Sequence, residues 1–230
     1  MSEPEITYVT DSQTSCSSEW EKAYLAFETR DEARRKILGR LRSFGAEAWD
    51  RDAPIVEIFC GSGYGLDALV EMGFTNVEGM DLSATLVERY QGPAHCLVGD
   101  CRNLPFETGS RQTIIVHGGL HHLETLEDVD QVLSEVSRAL APGGHFCAVE
   151  PWSTPFLRLV LRASRNPLLR RAWAKLDAFQ TMVEHEQETY DRWLADPTRI
   201  EAQLRAHFQP IVFRPRWGSL VFVGEPTRQS

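Results

Sequence analysis

Ile55-Val-Glu57-Ile-Phe59-Cys-Gly61-Ser-Gly63-Tyr-Gly65 is the stretch of sequence on which the fold turns. A short apolar run, I-V-E-I-F, enters glycines at 61, 63 and 65, and L-D-A-L-V-E-M follows with Gly73 as a stop. The run reads as a buried strand and the segment after it as a helix. Glycines between strand and helix let backbone approach a nucleotide-like cofactor closely, because no Cβ intervenes. On their own they serve equally well for tight strand–helix packing.

The pattern continues outward. N-V-E-G-M-D81 predicts a second strand with a helix after it, A-H-C-L-V-G-D100 a third strand, and T-I-I-V-H-G-G119 a fourth. A helix from about Leu126 to Leu140 ends at A-P-G-G, and H-F-C-A-V-E150 follows as a fifth strand. Strands alternating with helices imply an α/β fold with a largely parallel sheet. Upstream, residues 18–44 carry apolar positions at helical spacing and predict two amphipathic helices. Downstream, 152–208 reads as almost all helix, and the last two apolar runs form a hairpin at Gly218 that adds an antiparallel strand. No repeat or linker divides the chain. The expected organisation is one domain over 1–230: an N-terminal helical cover (18–44), a core (54–151), a helical insertion or lid (152–208) and a closing hairpin (209–230).

A chain of 230 residues with 42% hydrophobic and 25% charged residues suits one soluble globular domain. Its net charge of -9 disfavours nucleic acid and anionic membrane as partners. The N-terminus shows no basic stretch followed by an apolar run, so a cytoplasmic protein is expected. The five cysteines, at 16, 60, 96, 101 and 147, form no metal or redox pair and read as reduced thiols.

Asp81 ends the second strand, where a carboxylate can accept both hydroxyl hydrogens of a ribose; its structural alternative is a helix cap. Asp100, with Cys101 beside it, ends the third and can accept from an adenine amino group. Successive strand ends thus aim polar groups at one crevice outside the carboxyl ends of the sheet. A nicotinamide dinucleotide fingerprint would need glycine at position 66, which is Leu66. Glu57 beside the turn also suits a cationic amine better than a pyrophosphate.

Together E-I-F-C-G-S-G, G-M-D-L-S, G-D-C-R-N-L-P-F, G-G-L-H-H-L and L-A-P-G-G resemble the successive motifs of class I S-adenosylmethionine-dependent methyltransferases. The likeness is nearest to the small-molecule group typified by quinone-biosynthesis methyltransferases, methyltransferase type 11, and spans 55 to about 150. It implies a Rossmann-like sheet of seven strands with helices on both faces. It also implies S-adenosylmethionine as cofactor, with Glu57, Gly61, Ser62, Gly63, His117 and Gly118 around its methionine part. Asp81 and Leu82 would then lie at the ribose and Asp100 with Cys101 at the adenine. Phe59 departs from the family, where leucine or glycine is commoner, and no aspartate introduces the fourth strand.

Methyl transfer from a sulfonium asks the protein mainly to align a nucleophile and exclude water. His121 and His122 follow the fourth strand and are the candidate bases; capping or packing roles compete with that reading. Glu150, Trp152 and His185 are candidates for the acceptor pocket, His185 within E-H-E-Q-E-T-Y of the lid. Trp20, Tyr24 and Phe27 share a helix face that would close over the cofactor or pack as core. Arg158 to Lys175 form an acid-free basic run that reads as a solvated face or an anion-attracting one. No metal is expected, because no acid or thiol partner for the histidines is evident in the sequence. The motif of base and amide N-methyltransferases is absent after the fourth strand, so oxygen or carbon methylation of a small-molecule acceptor is the expectation. The alternatives are cofactor binding without turnover, as in a sensor or scaffold, and nicotinamide-dependent oxidoreduction.

Overall fold

The computed structural model describes residues 5–9, 18–27 and 29–227. Eight strands form one sheet: β1 (Ile6–Tyr8), β2 (Ile55–Ile58), β3 (Val77–Asp81), β4 (His95–Val98), β5 (Arg111–His117), β6 (Leu140–Pro151), β7 (Phe208–Arg216) and β8 (Ser219–Pro226). Their order is β1-β4-β3-β2-β5-β6-β8-β7, with β2 near the middle. Only β8 runs against its neighbours β6 and β7; the other pairings are parallel. The expected Rossmann-like sheet is present, with eight strands in place of seven. The addition is β1, which lies along the outer edge of β4. Three residues without an apolar run gave no strand signal in the sequence.

Ten α-helices are described. α1 (Ser18–Phe27) and α2 (Arg30–Ser43) precede the sheet, and α3 (Tyr64–Glu71), α4 (Ala84–Val87) and α5 (Leu126–Ala139) lie between its strands. α6 (Pro155–Ser164), α7 (Pro167–Ala172), α8 (Ala174–His185), α9 (Gln187–Ala195) and α10 (Pro197–His207) fill the expected insertion. Thr29 starts α2 with a reciprocal capping box to Glu32, which ends the loop after α1. At the far end Trp217 and Gly218 both take positive φ, the paired left-handed geometry that a two-residue hairpin with the sheet's twist requires.

The central strands are buried on both faces, as parallel strands under helices are. Along β2 and β5, Ile55 and Ile115 face the helices α2 and α3, packing with Leu41, Leu66 and Leu69. Val56, Ile114 and Val116 face the other way, toward Val132 and Val136 of α5 and Leu204 of α10. Two cores thus clamp the sheet and fix where its strands end, which is where the polar residues collect. No helix among the described residues is long and apolar enough to cross a membrane.

Candidate active site

The glycine turn after β2 is strained by design of its neighbours. Gly61 and Gly63 have φ of 52° and 76°, and Phe59 takes φ 57°, a left-handed value unusual for a bulky side chain. Phe59 is accommodated because Gly119 opposite it has no side chain: a Cβ there would lie well under 3.0 Å from the Phe59 ring. Gly63 sits against the ring of Tyr90, and Gly65, in the first turn of α3, passes directly over the Glu57 carboxylate. Each close approach uses a glycine.

Asp81, at the end of β3, ties this turn to the next strand. Its Oδ2 accepts from the Gly61 N–H and its Oδ1 from the Ser83 N–H, both at 2.8 Å. Burial raises its pKa, and these two backbone donors hold that rise back. The cap of α4 falls to Ser83, whose hydroxyl accepts from the Leu86 N–H, so Asp81 is not the helix cap weighed from sequence. Asp100 instead meets Arg102, which bonds both of its oxygens and lowers its pKa, and Arg102 also reaches Asp128. Cys101 is buried beside it, and Leu82 is half-buried.

Around these strand ends, buried polar atoms stand without hydrogen-bond partners: Glu57 Oε2, Ser62 Oγ and both ring nitrogens of His117. Leaving such atoms dry costs about 1–3 kcal/mol each. Burial, then the nearby Asp81 charge, pushes the Glu57 pKa up to about 8. His117 stacks on Phe44 of the N-terminal cover, centroids 6.0 Å apart, and burial with Arg40 and Lys36 nearby keeps its ring neutral. Gly118 follows with φ 87°. Tyr24 of α1 stacks on Tyr64 at 6.3 Å with its hydroxyl close to Gly61, and Phe27 meets Phe179 of α8. The side chain of Trp20 lies outside the described residues.

His121 and His122 occupy a short 3-10 turn, Leu120–His122. Beneath it Glu150, at the end of β6, is only 2% exposed. Its Oε1 accepts from the Gly119 and Leu120 N–H groups, each at 2.8 Å, and its Oε2 lies 2.7 Å from His121 Nδ1. Burial favours the uncharged form of both partners, but the backbone donors and the His121 hydrogen bond keep Glu150 ionised while His121 stays neutral. A neutral ring donating from Nδ1 to Glu150 leaves Nε2 with its lone pair. The edge of Tyr190 closes one side, with centroids 5.6 Å apart.

Glu150 is therefore a support for His121, a role that the sequence reading, which placed it in the acceptor pocket, did not give it. Trp152 is likewise buried, edge-on to Phe213 in the core. His185 bonds the Thr181 carbonyl and lies 3.3 Å from Glu19 of α1, away from the other histidines. The neighbouring Glu186, between α8 and α9, is the residue that reaches them, with Oε1 3.2 Å from His122 Nδ1. The sequence reading missed it, and it found no acid beside these histidines; the structure supplies two. Helical phase carried the signal, since Glu186 and Tyr190 are four apart at the start of α9 and share the face that His185 leaves. Within the basic run, Arg170 pairs with Asp177 and Glu184, and Lys175 pairs with Glu32.

Residues 56–148, from β2 through most of β6, match the model of the methyltransferase domain family. Over that stretch the chain is similar to class I methyltransferase domains of type 11. Solved structures with the same fold include a protein from Pyrococcus horikoshii OT3, 20% identical, with a TM-score of 0.68 over 92% of this chain and 100% of that one. The methyltransferase of a Haloferax volcanii complex with the activator Trm112 is 17% identical, with a TM-score of 0.66 over 94% of this chain and 100% of its own. An S-adenosylmethionine-dependent methyltransferase from Mesorhizobium loti is 20% identical, with a TM-score of 0.54 over 80% of this chain and 95% of that one.

The match implies S-adenosylmethionine as cofactor. The residues present fit it. Its amino acid end is cationic and its ribose rich in hydroxyls, and the strand ends offer a buried carboxylate oxygen, a serine hydroxyl and imidazole nitrogens without a hydrogen-bond partner among the described residues.

Proposed function

We propose that the protein transfers the methyl group of S-adenosylmethionine to an oxygen or carbon of a small-molecule acceptor, working as one domain in the cytoplasm. The observation that carries this is the set of unpartnered polar atoms on Glu57, Ser62 and His117 at the strand ends. Glu57 holds the cationic amine, which removes the cost of its buried oxygen, and Ser62, His117 and Gly118 complete that end. Gly61 and Gly63 keep backbone close to the ligand, and Asp81 with Leu82 takes the ribose. Asp100, held by Arg102, and Cys101 border the adenine. When bound, the cofactor supplies an electrophilic methyl on a sulfonium.

His121 is the proposed base. Its Nδ1 side is fixed on Glu150, so Nε2 receives the acceptor's proton and Glu150 steadies the imidazolium that results. His122 and Glu186 sit beside it and hold the lid against the turn. Glu150 serves the acceptor through His121, Trp152 shapes the wall by packing, and His185 belongs to the contact of lid and cover. Four buried free cysteines, at 60, 96, 101 and 147, suit the reducing cytoplasm.

Calorimetric titration with S-adenosylmethionine and S-adenosylhomocysteine tests the reading. Saturable binding by the wild type, lost in Asp81→Ala, is the expected result. A folded wild type that binds neither ligand overturns it.

A further inference from the structure

His121 and His122 stack their rings 4.1 Å apart, and Glu186 at the junction of α8 and α9 faces both. One donor atom from each of the three side chains lies within 4.8 Å of the others. We propose that His121 Nε2, His122 Nδ1 and the Glu186 carboxylate bind a divalent transition-metal ion of the zinc or cobalt kind, pinning the lid to the turn after β5.

Two imidazoles and one carboxylate are the donor set such ions take, with bonds of about 2.0–2.2 Å and room left for water. Ligand atoms around one ion at those bond lengths lie about 3–3.5 Å apart. Glu186 Oε1 stands 3.2 Å from His122 Nδ1 and Oε2 4.0 Å from His121 Nε2, with all three donor groups within 4.8 Å of one another, so side-chain adjustment of about an ångström or a little more closes the set. The second argument lies behind His121. A ligating imidazole needs its other nitrogen fixed by an acceptor, and Glu150 does this at 2.7 Å while itself held by two backbone donors. A simple pairing of His122 with Glu186 accounts for two of the three groups and does not draw His121 Nε2 toward the same carboxylate. The site stands apart from the methyl-transfer reading, with one consequence that rests on it: an ion on His121 Nε2 occupies the lone pair that would take the acceptor's proton, so loading withdraws the base.

Titration of the metal-free protein with Co²⁺ alone, read by visible d–d absorption, tests the site, with Zn²⁺ as competitor. The expected result is saturation at one equivalent, weakened at least tenfold in Glu186→Gln and by about 10–100-fold in Glu150→Gln. Both variants should still bind S-adenosylhomocysteine, which shows that they are folded. Absence of a saturable band, or equal cobalt affinity in wild type and Glu186→Gln, overturns the proposal. Failure of the wild type to bind S-adenosylhomocysteine would sink the methyl-transfer reading and leave the cobalt result standing.

A second inference comes from the opposite kind of feature, an exposed surface. Between Pro151 and Leu176 the chain carries six basic residues and no acid, within a protein of net charge -9. Arg158, Arg162, Arg165 and Arg171 are exposed, and none has an ion-pair partner among the described residues. Interleaved with them, Leu159, Leu168 and Trp173 are 66%, 76% and 61% exposed, and Trp217 of the hairpin, edge-on to the exposed Phe156, continues the patch. Leucine and tryptophan among unpaired arginines match the interfacial zone of an anionic bilayer in both polarity and charge. We infer that α6, α7 and the β7–β8 turn dock on an anionic phospholipid surface, so the bulk acidity of the chain conceals a local reversal.

Sedimentation with vesicles of phosphatidylglycerol and phosphatidylcholine, against phosphatidylcholine alone, tests this. Binding is expected only to the anionic vesicles, falling with salt, by about fivefold for each of Arg162→Ala and Arg171→Ala, and further in Leu168→Asp. No binding, binding indifferent to these variants, or binding to an acidic polypeptide such as polyglutamate in place of vesicles would overturn it.

Discussion

The carboxylate of Glu57 fills the space that a Cβ on residue 65 would need, placed well under 3.0 Å from it. The first turn of α3 can cross the end of β2 only because residue 65 is glycine. Glu57 is 2% exposed, so a methyl group at residue 65 meets a buried carboxylate. Gly65→Ala should therefore destabilise the protein by about 1–3 kcal/mol, the usual range for overpacking, and abolish cofactor binding. Chemical denaturation and calorimetry read the two effects, and an alanine variant of wild-type stability would contradict the packing.

The Glu57 pKa of about 8 gives a pH signature. The folded protein holds a proton there that the unfolded chain releases near the ordinary carboxylate range. Its stability should fall as pH rises from that range to about 8, then level off, and Glu57→Gln should lack this slope. Binding of a cationic amine requires the ionised carboxylate, so wild-type affinity relative to Glu57→Gln should climb with pH up to about 8. Paired titrations across that window check the sign.

Phe59 and Gly119 form a complementary couple. Gly119→Ala drives a methyl group into the Phe59 ring and should destabilise by about 1–3 kcal/mol. In the background of Phe59→Gly, which also relieves the left-handed backbone, the same change should cost much less. A double-mutant cycle measures the coupling; additive effects would refute it.

Glu150→Ala removes the acceptor for two backbone N–H groups and for His121 at once. A loss of about 2–5 kcal/mol is expected, as for other broken buried charge networks. Glu150→Gln keeps the shape and part of the bonding, so it should lose less stability while still disturbing the His121 ring. Denaturation midpoints separate the two, and equal losses would count against the network.

The strand–turn–helix units around the glycine turn were legible in the sequence because their signals are local. A glycine turn after an apolar run, and acids at the ends of the next two strands, fix the strand–turn–helix units by spacing alone. The parallel run of the central strands followed from alternation, and their order in the sheet did not. The edge strand β1 was not legible, since three residues paired by backbone leave no side-chain pattern. Nor was Glu186, because its neighbours are brought to it by the lid, and in a run as rich in acid and histidine as E-H-E-Q-E-T-Y only helical phase separates inward from outward residues. Glu150 was visible as a residue but not as a role: burial at a strand end turned a pocket candidate into a support for His121.

The N-terminal cover and the lid are fastened to each other as well as to the core. Phe27 packs on Phe179, Glu32 bonds Lys175 at 2.8 Å, and Glu19 meets His185. Segments about 150 residues apart in the sequence thus brace one another, so loosening either one removes support from the other.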